Sequence, residues 1–145
     1  EGFSKAASNL FPALMRVING DSKCLKIYGN DWPTKDGTCI RDYIHIMDLA
    51  DAHLAALKFL INNNPQLINV NIGTGKGTSV LELVNIFKKV TNFDLPYEFV
   101  ERRDGDCAHV VANNDLALKI LNWYPKRSIN QMCSDSWRWI KNSKL

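Results

Sequence analysis

Apolar residues recur along the chain at two spacings, and the alternation between them sets out the elements. Leu10, Leu14, Val17 and Ile18 share one face of a 3.6-residue period, which predicts a helix over 11–19, ended by Gly20 and Asp21. A short apolar run over 24–28 reads as a strand. The stretch 29–40 (GNDWPTKDGTCI) is too rich in Gly, Asn, Asp and Pro for a regular element, and a connection of that length in a compact domain is often functional. Residues 41–46 read as an extended run leaving it. Asp48 is the expected cap of a helix reaching Ile61, with Leu49, Ala52, Ala56, Leu57 and Leu60 on its buried face. The second half repeats the alternation. A strand is expected over 67–72, then a glycine loop over 73–77. Ser79 and Glu82 have the spacing of a capping box, opening a helix that turns Val80, Leu83, Val84 and Phe87 inward. A strand over 97–101, a charged turn over 102–106, an extended piece over 109–112 and a helix over 114–121 follow. A second capping box, Ser128 with Gln131, starts a terminal helix bearing Met132, Trp137 and Ile140. The pattern is α/β, with a β-loop-α crossover expected over 67–90.

Composition narrows the function classes. The 145 residues are 46% hydrophobic and 23% charged, which suits one ordinary folded domain and argues against disorder. The net charge of +3 comes from scattered lysines and arginines, so nucleic acid is not an expected partner. No apolar stretch approaches the ~18 residues of a membrane span, and no signal peptide is visible. Cys24, Cys39, Cys107 and Cys133 form no C-x-x-C pair and have no histidine at zinc-ligand spacing, so reduced thiols in a cytoplasmic protein are expected.

Three features have the residue types for chemistry. The loop Gly73-Thr74-Gly75-Lys76-Gly77 follows an expected strand and precedes a helix, the context of a phosphate cradle. Its spacing fits neither G-x-G-x-x-G nor the Walker pattern, which favours a tight turn needing positive φ. The cluster Arg102-Arg103-Asp104-Gly105-Asp106 is either a solvated charged turn, the reading composition favours, or a bidentate phosphate clamp. Arg41 leaves the long loop beside Asp42, so it either anchors an anion or pairs with that carboxylate. Arg41 and Arg103 together would suit a diphosphate, two planar cations for two phosphates. His45, His53 and His109 have no catalytic spacing, and nothing resembles an activated nucleophile. The tryptophans near the end read as packing, with one ring of Trp137 and Trp139 partly exposed.

Taken together, these residues resemble the UDP-glucose 4-epimerase family. The run from Leu25 to His53 (LKIYGNDWPTKDGTCIRDYIHIMDLADAH) carries most of the likeness. It is supported by Asn9-Leu10-Phe11-Pro12, by Asn71 to Gly75 with Ser79-Val80-Leu81, by Arg102 to Asp106, and by Leu121-Asn122-Trp123 before the last helix. The family is a branch of the extended short-chain dehydrogenases, with an N-terminal Rossmann domain holding NAD and a smaller C-terminal part holding the UDP-sugar. The resemblance implies interconversion of UDP-glucose and UDP-galactose through a 4-keto intermediate, with a tyrosine of a Tyr-x-x-x-Lys motif as base and a homodimeric whole enzyme. This sequence opens on Glu1 and contains neither Gly-x-x-Gly-x-x-Gly nor Tyr-x-x-x-Lys. Residues 1–145 are therefore expected to be the UDP-sugar-binding C-terminal portion only, without catalytic or NAD-binding residues. The 48–61 helix and 67–72 are expected to expose faces that would pack on the Rossmann domain.

Residue by residue, the resemblance implies that Asn9 and Leu10 approach the diphosphate and nearby sugar. Lys26, Ile27 and Tyr28 would lie at the strand end beside the uracil. Arg41 and Arg103 would grip the diphosphate, and Asp106 would accept from ribose hydroxyls. Val110 stands at a position bordering the sugar pocket, where smaller residues admit N-acetylated sugars, so UDP-N-acetylhexosamines are expected among the ligands. Trp32, Cys39, Ala7 and Ser8 depart from the usual family residues. Two further readings stay open, a free-standing nucleotide-sugar-binding module and a portion of a related nucleotide-sugar epimerase or dehydratase.

Overall fold

A computed structural model describes residues 9–143. Ala7 and Ser8 lie outside the described residues. The elements run α1 (Leu10–Ile18), β1 (Leu25–Tyr28), β2 (Ile40–Arg41), α2 (Ile46–Ile61), β3 (Thr78–Ser79), α3 (Val80–Thr91), β4 (Tyr97–Val100), β5 (His109–Val110), α4 (Asp115–Leu121) and α5 (Ile129–Asn142). Strands β1 and β4 pair in parallel, Leu25 opposite Tyr97 and Tyr28 opposite Val100. Strand β2 lies between β3, antiparallel, and β5, parallel.

Two apolar clusters hold these elements. In the first, Leu14 and Val17 of α1, Leu25 and Ile27 of β1, Leu83, Val84 and Phe87 of α3, Leu95, and Cys133 of α5 are buried together. The i, i+3/i+4 spacing on α3 and α1 turns those side chains onto alternate residues of β1, the packing their periods predict. Trp137 closes one side, edge-on to Phe87 at 6.1 Å, while Trp139 is half exposed. The second cluster joins Ala52 of α2 to Ala117 and Leu121 of α4 and to Trp123.

Both predicted capping boxes form. Ser79 and Glu82 start α3, and Ser128 and Gln131 start α5. The long loop is irregular, as expected, but firmly tied. Asp36 accepts from the Thr38 N–H at 3.0 Å and from the hydroxyls of Thr38 and Ser79, and the Thr38 hydroxyl accepts from Leu81 N–H. Gly37 sits at φ +77°, and a Cβ there would fall 2.1 Å from the Asn30 carbonyl oxygen, so the loop closes only with glycine.

Several expectations are corrected. The α2 helix begins at Ile46, so the extended run from the loop ends earlier than 46. Its cap is His45, whose Nδ1 accepts from Met47 N–H at 3.1 Å. Asp48 lies within the first turn and is fully buried. Leu57 and Leu60 are exposed, together with Leu54 and Ile61. The contact with α4 is made instead through Ala52, Ala55 and Ala56, whose small side chains let the helices approach. Residues 67–72 form no strand, because no other segment pairs with them among the described residues, and Leu67 is 89% exposed. The expected crossover is thus a helix preceded by the short β3. Bare apolar faces do occur on α2 and at Leu67.

Candidate functional site

An open cleft of about 1260 Å³ runs from α1 along β1 to the turn that precedes β5. Eight of the nine residues named from the sequence line it: Asn9, Leu10, Lys26, Ile27, Tyr28, Arg41, Arg103 and Asp106. Val110 does not. It is half exposed on β5, paired in register with Arg41.

The two arginines arrive from distant parts of the chain and meet at one carboxylate. Arg41 is oriented by backbone, its Nη1 donating to the carbonyls of Ile40 and Cys107, both at 2.8 Å. Its Nη2 reaches Asp106 Oδ1 at 3.4 Å. Arg103 donates from Nε to Asp106 Oδ2 at 3.0 Å, and its guanidinium lies 4.4 Å above the Tyr28 ring. The turn over 102–106 is therefore more than a solvated hairpin. It carries one arginine into the cleft and the other away. Arg102 donates to the carboxylate and carbonyl of Asp31 and stacks on Trp32 at 3.9 Å, and Trp32 Nε1 donates to the Tyr28 carbonyl at 3.1 Å. The hydrogen bond from Arg102 is the largest influence holding the Asp31 carboxyl below its ordinary range. A smaller hollow of about 620 Å³ beside Gly29 and Phe99 contains Arg102 as its arginine, already matched by Asp31, and offers an anion little.

Arg41 does not pair with Asp42. Neighbouring residues leave an extended segment on opposite sides, and Asp42 turns into the glycine loop. Its carboxylate accepts from the amides of Thr74, Gly75 and Ala112, between 2.9 and 3.3 Å, and from the Thr74 hydroxyl. Gly75 takes φ +70°, the tight turn expected there. The loop is built like an anion cradle, but its donors are taken by a carboxylate of the same chain. NAD therefore finds no fit there, and no strand–glycine–helix loop occurs among the described residues. A Cβ on Gly73 would meet Asp42 Oδ2 at 2.6 Å, so only glycine lets the carboxylate approach. Asp42→Ala is expected to destabilise the fold by about 2 kcal/mol, since several partly buried donors lose their acceptor. Thermal unfolding checks this, and an unchanged midpoint would count against it.

Two side chains in the cleft were not anticipated from their spacing. Tyr43 packs edge-on to Phe11 at 6.4 Å, and burial pushes its hydroxyl well above the ordinary tyrosine range. Cys39 is buried, and desolvation likewise raises its thiol. Both stay protonated near neutral pH, so neither is a base or nucleophile. His45 is buried and bound at both nitrogens, to Met47 N–H and to Asp135, so it is structural. Among the described residues no group of His, Cys, Asp and Glu could hold a metal, and no helix is long and apolar enough to cross a membrane. The described residues of the cleft thus offer cations and hydrogen-bonding groups.

The chain is similar to known proteins in sequence and fold. The family model described as GDP-mannose 4,6 dehydratase matches residues 3–136. A UDP-glucose 4-epimerase of Bacillus subtilis is 46% identical over 132 residues, 91% of this chain and 39% of that protein. The crystal structure of a UDP-glucose 4-epimerase from Stenotrophomonas maltophila, with NAD and formylated UDP-arabinopyranose bound, superposes with a TM-score of 0.92 at 41% identity. It takes in 99% of this chain and 43% of that one. A UDP-Glc/GlcNAc 4-epimerase from Campylobacter jejuni matches with a TM-score of 0.82 at 35% identity, over 97% of this chain and 42% of its own. The chain spans about two fifths of the length of these relatives. It belongs to the GDP-mannose 4,6 dehydratase family, as a UDP-glucose 4-epimerase-like portion of an extended short-chain dehydrogenase.

Proposed function

We propose that this chain is the UDP-sugar-binding, C-terminal portion of a UDP-glucose 4-epimerase. The observation that carries the reading is the convergence of Arg41 and Arg103 on one point of a cleft that also takes in the end of β1. A diphosphate placed there meets two planar cations, one for each phosphate. Tyr28 supplies an aromatic ring in the cleft for a base, and Asn9 and Leu10 line the same cleft. NAD supplies hydride transfer in such enzymes, and the residues present here do not fit it, so the cofactor belongs to another part of the protein. The bare face of Met47, Leu54, Leu57 and Ile61 on α2 favours this over a free-standing module, since a complete domain covers such a stripe.

Calorimetric titration tests the reading. UDP is expected to bind, uridine at least about tenfold more weakly, and UDP affinity to fall with added salt because the diphosphate is the charged part. Equal affinities for UDP and uridine, or none for either, would defeat it. The chain by itself is expected not to interconvert UDP-glucose and UDP-galactose, and any such turnover would contradict its role as a binding portion only.

The sugar range gives a further test. Val110 is half exposed beside Arg41 but outside the cleft lining, so its part in the sugar range rests on the family likeness of its position. The whole enzyme is expected to act on UDP-N-acetylglucosamine as well as UDP-glucose, and Val110→Tyr to depress the former selectively. Turnover confined to UDP-glucose in the unaltered enzyme would rule this out.

A further inference from the structure

Asp106 occupies the place between the two arginines where an incoming anion would sit. Its carboxylate takes one hydrogen bond from Arg41 and a two-point contact from Arg103, at 3.0 and 3.4 Å. Arg41 needs none of this for its orientation, because the carbonyls of Ile40 and Cys107 already fix it. Its bond to Asp106, at 3.4 Å, is at the long limit of hydrogen bonding. Arg103 is held by Asp106 on one side and by the Tyr28 ring on the other. All three charges keep some access to solvent, with Asp106 the most enclosed at 19% exposure. The carboxylate thus offsets one of the pair's two positive charges and is held loosely enough to be exchanged.

We propose that Asp106 is an internal counter-ion for Arg41 and Arg103, and that a bound diphosphate takes over the donors it holds. The proposal rests on the reading of these arginines as the diphosphate site. A selectivity follows. Inorganic pyrophosphate at neutral pH brings few donors of its own, so it displaces Asp106 and leaves that carboxylate poorly bonded in a partly closed cleft. A nucleoside diphosphate carries hydroxyl donors next to its phosphates and satisfies the carboxylate it displaces. The arginine pair therefore disfavours bare anions in the presence of Asp106 and loses that bias without it.

Titration of the chain with inorganic pyrophosphate and with UDP decides the matter, using Asp106→Asn and Asp106→Ser beside the unaltered protein. Pyrophosphate is expected to bind about 3- to 10-fold more tightly to both variants, the range for removing one partly screened charge next to two cations. UDP is expected to gain nothing or to weaken, so the preference for UDP over pyrophosphate shrinks. A parallel loss of affinity for both ligands would make Asp106 a positioning group for the arginines and overturn the proposal, as would no change for either. In the unaltered chain, the Arg103 Nε–H resonance is expected to shift as pyrophosphate is added, and a stationary signal at saturation would overturn it without any substitution. Failure of the underlying reading looks different: the unaltered chain then binds neither ligand, or Arg103→Gln binds both as well as the parent.

Discussion

Replacing Arg103 with glutamine is expected to weaken UDP binding by about 10- to 100-fold, and replacing Arg41 and Arg103 together to remove binding at millimolar UDP. A hydrogen bond to a charged group contributes about 1.5–3 kcal/mol, and the loss of one such net contact at a partly exposed arginine gives this range. The single substitutions should differ in side effects. Arg103 is 40% exposed on a turn, so its loss should leave the unfolding midpoint nearly unchanged. Arg41 also ties Ile40 to Cys107 across the β2–β5 pairing, so Arg41→Gln should lower stability as well as affinity. If both side chains hold one diphosphate, the double-mutant cycle should show a coupling well beyond the error of additivity, since neither interaction keeps its geometry without the other. Two small, additive losses, each under about threefold, would mean that the arginines do not share a ligand. Uridine is the comparison: its affinity should change far less than that of UDP across the four proteins, because it carries no phosphate.

How far the chain reveals this site depends on which contacts are local. Helices α1, α3 and α5 were readable because their signals lie within one or two turns: an apolar stripe, and a Ser with Glu or Gln three residues on. The pairing of β1 with β4 spans some seventy residues, and nothing in either tetrapeptide specifies it. The run 67–72 has the composition of a strand, yet strand character needs a neighbouring backbone, which the described residues do not provide. Asp42 shows the same limit at the site. Beside Arg41 it resembles an ion-pair partner, and only the folded chain reveals that it reaches Thr74 and Ala112 instead. The cleft residues are legible through likeness to a family, since the spacing of the 102–106 turn by itself fits a hairpin better than a clamp. What the fold adds is that Arg102 and Arg103, adjacent and chemically identical, part company: Trp32 and Asp31 hold one, Tyr28 and Asp106 the other.

The largest loss of stability is expected from Asp48→Ala. Asp48 is fully buried within the first turn of α2, where its position near a helix start suggested a cap. It caps a different junction. Its Oδ2 accepts from the amides of Lys126 at 3.1 Å and Arg127 at 2.9 Å, and its Oδ1 pairs with the Arg127 guanidinium, which also reaches Asp51 at 3.1 Å. These contacts fasten α2 to the segment entering α5. They therefore link the cluster around Ala52 and Trp123 to the cluster that contains Cys133. Removing one member of a fully buried, hydrogen-bonded ion pair typically costs about 3–5 kcal/mol; here Asp48 is buried, but Arg127 is 30% exposed and keeps Asp51, which puts the loss at the lower end. For Asp48→Ala we expect about 3 kcal/mol, or roughly 10 °C in a protein of this size. Asp48→Asn keeps one acceptor oxygen and its shape, so it should lie between the alanine variant and the parent. Denaturant unfolding followed by tryptophan fluorescence measures both. If alanine and asparagine shift the midpoint equally, the hydrogen bonds rather than the charge are irrelevant to the order, and a shift under about 1 kcal/mol would show that apolar packing alone joins the two clusters.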